Sequence, residues 1–134
     1  MEFVGRHHRG VLATVRSNGL PQMSNVVYST IDGAVWVSVT DGRAKTANLR
    51  RDPRAVLHVT TEDFTSYVVM ECDIELAPVA GRPDDGTIAE LRRLYRNISG
   101  EHPDWDEFDR AMIADRRLVA RLYPVHSYGQ LGDV

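Results

Sequence analysis

The sequence predicts a mainly β, α+β domain: a small barrel of six antiparallel strands, with a short helix after the third strand and a helical pair before the last. Three observations carry that prediction. The first three apolar runs are joined by Asn18-Gly19 and Asp32-Gly33, hairpin turns too short for the crossover that parallel strands require. Helical spacing enters only at 43–52 and again beyond residue 88, which is not the alternation of a parallel α/β sheet. The 134 residues, 43% of them hydrophobic, suffice for one core, so 1–134 reads as a single domain. An open α+β sheet is the alternative arrangement of the same elements.

The totals exclude several classes of function. Net charge is -3, which argues against general nucleic-acid affinity. Cys72 is the lone cysteine, so no internal disulfide can form and nothing points to an oxidising compartment. No apolar run approaches a membrane span, and Met1 to Arg9 lacks the apolar centre of a signal peptide. The expectation is a cytoplasmic protein with no membrane or nucleic-acid partner.

In chain order, Gly10 to Arg16 alternates, with Val11, Ala13 and Val15 on one face, and leads into the Asn18-Gly19 turn. The return strand, Gln22 to Thr30, is polar at its middle; on the strand alone, Ser24 and Asn25 read as an exposed face rather than a wet pocket. Val35 to Thr40 follows with Val35, Val37 and Val39 inward and Trp36, Ser38 and Thr40 outward. The basic helix from Arg43 ends at Pro53, which disfavours helical geometry in the residue before it. Ala55 to Thr60 and Ser66 to Leu76 are the next strands, the latter with its acidic residues on one side. His58 reads as a strand residue and not a metal ligand, because no second His or Cys stands at ligand spacing. Ile88, Leu91, Leu94, Tyr95 and Ile98 form one apolar helical stripe, and Trp105, Phe108 and Met112 another; such stripes are core elements. Leu118 to Tyr123 closes the domain as the last strand.

The segment from Val35 to Arg54 reads as an anion site. Asp41 is placed to cap the helix, Gly42 lets the backbone approach a ligand, and the first helical turn offers free N–H groups at the positive end of the macrodipole. Arg43 and Lys45 add full charges. Lys45 is the only lysine among 16 basic side chains, which marks a position suited to a compact point charge. The competing reading is a solvated helix end whose cations need no partner.

The motifs Gly10-Val-Leu-Ala-Thr14, Gly19-Leu-Pro-Gln-Met-Ser-Asn25, Val37-Ser-Val39, Arg43-Ala-Lys-Thr-Ala-Asn48-Leu-Arg-Arg-Asp-Pro-Arg54, Leu94-Tyr-Arg-Asn97 and Gly100-Glu-His-Pro-Asp-Trp-Asp106 closely resemble the pyridoxamine 5′-phosphate oxidase-like split β-barrel superfamily. Within it the chain resembles the branch that uses the deazaflavin coenzyme F420. The Arg-Ala-Lys-Thr segment with its following Asn-Leu and Asp-Pro is the specific part. The resemblance implies a homodimer of split barrels with two cofactors at the subunit interface. On it, Arg43 and Lys45 bind the coenzyme phosphate, with Ala44 and Thr46 supplying backbone or hydroxyl contacts. Ser38 and Val39 line the tail or ring, and Asn48 anchors the helix or the ligand. Ser24, Asn25 and Val26 run along the ring, and Ser66 and Tyr67 contribute from the fifth strand. One departure stands out: relatives carry an aromatic residue just before the Ser-Tyr pair, where this chain has Thr65, with Phe64 one place earlier.

The implied activity is hydride transfer from reduced F420 to an unsaturated small molecule, in which the cofactor carries the difficult step. That suits a sequence with no evident nucleophile, metal cluster or carboxylate pair. Tyr67, Tyr128 and His126 are the candidate proton donors. Two alternatives remain at this level: an FMN-dependent oxidase of the pyridoxamine phosphate type, and a non-catalytic F420- or FMN-binding protein.

Overall fold

The computed structural model describes residues 1–132. Its elements run α1 (Glu2–Gly5), β1 (Arg9–Val15), β2 (Pro21–Ile31), β3 (Ala34–Thr40), α2 (Ala44–Arg51), β4 (Arg54–Thr60), β5 (Tyr67–Leu76), α3 (Gly86–Ser99), α4 (Trp105–Ala114) and β6 (Arg117–Gln130). The strands close into a barrel in the order β1-β2-β3-β6-β5-β4, with every pair antiparallel. Closure of β4 onto β1, from Val11 opposite His58 to Thr14 opposite Ala55, rules out the open sheet.

Local chemistry sets the boundaries. Asp32 and Gly33 both take positive φ, 51° and 80°, the conformation that lets a two-residue turn follow the strand twist. Asp52 is extended ahead of Pro53, and α2 stops there. Asp85 and Asp104 cap α3 and α4, accepting from the Ile88 and Glu107 amides. Two elements carried no sequence signal. The single turn of α1 is one, and the continuation of β6 through Pro124 to Gln130 is the other; the register shift between Glu71 and Cys72 accommodates that proline.

Two apolar clusters hold the molecule. Leu12, Tyr28, Val35, Val37, Val39, Leu57, Met70 and Leu122 fill the barrel. Ile31, Trp36 and Val119, on the outer face of β2, β3 and β6, pack against Ile88, Leu91 and Leu94 of α3 and Phe108 of α4. The helical stripes are therefore core, as their spacing indicates, but they cover only one half of the barrel. The other half is bare. Leu12 and Thr14 of β1 point inward, so Val11, Ala13 and Val15 form an apolar row on the outside. On that side Met23, Val27, Val125 and Tyr128 are each more than half exposed.

The Tyr28 hydroxyl, at the centre of the barrel, donates to the Val4 carbonyl at 2.6 Å and ties α1 to the barrel end. Burial holds this phenol well above the ordinary tyrosine range, so it stays a neutral donor. Tyr28→Phe leaves the Val4 carbonyl without that donor. It is expected to cost about 1 to 3 kcal/mol in chemical denaturation and to raise amide exchange across α1 first.

Candidate functional site

The end of β3 and the start of α2 form the corner on which the site is built. Thr46, fully buried, donates from its hydroxyl to the Thr40 carbonyl at 2.7 Å and locks the first turn of α2 onto β3. The Asn48 side-chain amide donates to Thr14 Oγ1 at 3.1 Å and fixes the same helix to β1, while its oxygen accepts from Arg51. Asn48 thus anchors the helix, and its side-chain amide is engaged within the fold.

The cap differs from the expectation. Asp41 does not cap α2: the N-cap residue is Arg43, and no side chain accepts from the helix start. The Asp41 carboxylate lies between two guanidinium groups, Arg116 at 3.0 Å and Arg50 at 2.5 Å, whose hydrogen bonds, Arg116's foremost, hold its titration below the usual carboxylate range. The consequence favours an anion site, because the first-turn N–H groups of α2 receive no side-chain acceptor among the described residues.

Beside this corner a cleft of about 390 Å³ lies between the outer face of β2 and β3 and the helical pair. Asn25, Val27 and Ser38 form its floor; Leu91, Leu94, Tyr95, Phe108 and Met112 form its apolar wall; Lys45 and Arg117 stand at its polar end. No acidic side chain lines it. Arg117 enters from the first residue of β6, opposite Thr40, and its guanidinium reaches Ser38 Oγ at 3.4 Å. Its Nε is buried without a hydrogen-bond partner, and the nearest carboxylate oxygen, on Asp115, is 4.0 Å away.

Electrostatics point the same way. Partial burial lowers the Lys45 pKa from the ordinary lysine value, and the neighbouring charges of Arg43 and then Arg117 lower it further. Among the described residues neither Lys45 nor Arg43 has a salt-bridge partner. Three like charges around one uncapped helix start, with an orphaned buried guanidinium N–H, constitute a cradle that an anion would neutralise.

A family model described as pyridoxamine 5′-phosphate oxidase matches residues 1–122. The chain belongs to the pyridoxamine 5′-phosphate oxidase family. Solved structures agree in fold. A conserved hypothetical protein of Mycobacterium tuberculosis is 23% identical, with a TM-score of 0.76 over 96% of this chain and 80% of that one. A protein named F420 reductase is 22% identical, with a TM-score of 0.74 over 95% and 94%. A heme storage protein from Vibrio cholerae is 15% identical, with a TM-score of 0.69 over 96% and 90%. At these identities the likeness concerns the barrel alone.

Of the residues that the family resemblance singles out, Asn25, Val26, Ser38 and Lys45 line the cleft. Arg43 and Ala44 are exposed at the start of α2. Val39 is different: it is fully buried in the barrel and does not line the cleft. Ser24 shares the inward-facing side of β2 with Val26 and does not line the cleft. Ser66 and Tyr67 lie at the start of β5, outside the cleft, and the Ser66 hydroxyl accepts from the Gly132 amide at 2.7 Å. Phe64, 80% exposed with φ 65°, lies outside it on the β4–β5 turn. His126 and Tyr128 lie exposed on the bare half of the barrel.

Neither Arg117 nor the double role of the helical stripes has a signal in the sequence. Arg116-Arg117 is an ordinary basic pair in one dimension; only the β3–β6 register brings the second arginine to the Lys45 corner. Cys72 is excluded as a nucleophile, since it is buried in the barrel and its thiol is pushed up to about 12. Among the described residues no group of three or more His, Cys, Asp or Glu side chains could hold a metal, and no helix is long and apolar enough to cross a membrane.

Proposed function

We propose that the protein is an F420-dependent reductase that binds the coenzyme in this cleft and acts as a homodimer. The observation that carries the reading is the pair Lys45 and Arg117 at the polar end of a largely apolar cleft, Lys45 without a salt-bridge partner among the described residues and Arg117 with its buried Nε lacking a hydrogen bond, with Arg43 beside them at the start of α2. That donor set suits a phosphate-bearing cofactor with a flat ring. Lys45 and Arg117 would hold the anion together with the uncapped N–H groups of α2. Asn25 and Ser38 offer polar contacts along the floor, while Leu91, Leu94 and Phe108 keep water from the buried wall. When bound in its reduced form, the deazaflavin supplies a hydride equivalent to an unsaturated acceptor. The chain's own part is to bind, orient and desolvate, which needs no nucleophile.

The homodimer reading is supported by the apolar row on the bare half of the barrel, where Met23, Val27, Val125 and Tyr128 are exposed together. Sedimentation at micromolar concentration is expected to give a dimer; a monomer would remove the partner from the account.

Parallel fluorescence titrations with F420 and with FMN separate the cofactors. Saturable quenching of F420 with weaker FMN binding supports the reading, whereas tight FMN binding and none of F420 replaces it with the flavin oxidase reading. Turnover of a panel of enones and quinones with reduced F420 distinguishes a reductase from a protein that only holds the coenzyme.

A further inference from the structure

The lining of the cleft carries one amine, Lys45, and one aliphatic hydroxyl, Ser38. Ser38 lacks a base to activate it: no histidine or acidic side chain lines the cleft, and its Oγ accepts from Arg117 at 3.4 Å. Lys45 needs no base. Its amine is half-buried and, among the described residues, pairs with no carboxylate. Burial, and then the charges of Arg43 and Arg117, favour its uncharged, nucleophilic form. It is also the one lysine of the chain, so this chemistry has a single side-chain address.

The same corner has the means to hold a phosphate without calling on the lysine. Arg43 stands at the N-cap of α2, the first-turn N–H groups accept no side-chain partner, and Arg117 brings a buried Nε that has no hydrogen bond. With those donors on the phosphate, the amine of Lys45 is left to attack what the phosphate carries. In an acyl phosphate the carbonyl carbon is one oxygen away from phosphorus, so capture of the phosphate brings an electrophilic carbon to the amine. A phosphate ester whose carbonyl lies farther along its chain gains no such placement.

We propose that Lys45 is a site of acylation by acyl phosphates, and that its acylation closes the cleft to the coenzyme. The second half rests on the functional reading above; the first half does not. In the step, the lone pair of Lys45 Nζ forms an amide bond to the carbonyl carbon. The bond from that carbon to the bridging oxygen breaks, and phosphate leaves with the electron pair and takes the proton shed by the nitrogen. No oxidant or further reactant is needed. Arg43, Arg117 and the α2 amides stabilise the charge that gathers on the departing phosphate. The product is an uncharged amide, so the corner loses its compact charge and with it one contact to an anionic ligand.

The test uses the full chain and acetyl phosphate, with peptide mass spectrometry reading acetylation at the one lysine. Lys45 in the folded protein is expected to react at least about tenfold faster than in the same chain unfolded in urea, and inorganic phosphate is expected to suppress the difference. N-hydroxysuccinimidyl acetate, an acyl donor without a phosphate, is expected to show a much smaller ratio of folded to unfolded rates. A lysine no faster in the fold than in urea, or equally accelerated toward both donors, overturns the acylation site. F420 titrations of the parent and of the acetylated protein keep the two ideas apart. Binding by the parent that weakens at least about tenfold on acetylation supports the regulation. Binding unchanged by acetylation overturns it. Absence of F420 binding in the parent sinks the cofactor reading and the regulation together, while the rate ratios still decide the acylation site.

Discussion

Lys45→Ala is expected to weaken F420 binding about 10- to 100-fold, the value of one charge-assisted contact of roughly 1.5 to 3 kcal/mol, without destabilising the free protein. The two halves of that expectation have one cause. Burial and two neighbouring arginines disfavour the charged lysine in the fold, so its folded pKa lies below its unfolded value. The unfolded chain then binds more protons in the window just below 10.5, and stability of the free protein rises with pH through that window. Below it the charged lysine is a standing cost that a bound anion offsets. Alanine removes both the cost and the attraction. Urea denaturation with and without F420 reads the two halves in one experiment: ligand-free midpoints equal or higher in the variant, and a smaller ligand-induced shift.

Arg92→Met is expected to destabilise the protein by about 3 kcal/mol and to loosen the cleft wall. Asp109 on α4 is 3% exposed, and Arg92 on α3 meets both of its carboxylate oxygens, at 2.9 and 2.5 Å. The pair joins the two helices whose other face lines the cleft through Leu91, Leu94 and Phe108. Removing the arginine strands a buried carboxylate, whereas replacing both partners by apolar residues removes the charge problem altogether. Arg92→Met with Asp109→Leu is therefore expected to recover most of the loss, and chemical denaturation of the single and double variants checks it. A double variant as unstable as the single one would mean that the pair acts through packing and not through charge.

The antiparallel meander was legible because its turns are local: Asp32-Gly33 states its own backbone geometry, and Pro53 states where α2 must end. The Lys45 corner was legible for a similar reason, since the strand, the turn and the basic helix are contiguous. Failures have a common origin in distance along the chain. Asp41 looked like a cap because Arg116, 75 residues along the chain, reaches its carboxylate only through tertiary structure. Arg117 was invisible as a site residue because its place depends on β6 pairing with β3. Val11, Ala13 and Val15 gave a clean alternating row, yet alternation does not say which face is inside; Leu12 fills the barrel and the row faces out. The stripes of α3 and α4 read as core, which is right, but one surface can pack against a sheet and wall a cleft at once.

The phosphate of the coenzyme is expected at the Lys45, Arg43 and Arg117 corner. Phosphorus NMR of F420 addresses it directly, because the coenzyme's phosphodiester gives one resonance that senses its own surroundings. With the parent protein in slight excess that resonance is expected to broaden and shift, and in the Lys45→Ala protein at equal concentration to return most of the way to its free position. A sharp, unshifted phosphorus signal with the parent protein, or the same bound signal in both proteins, would contradict the account.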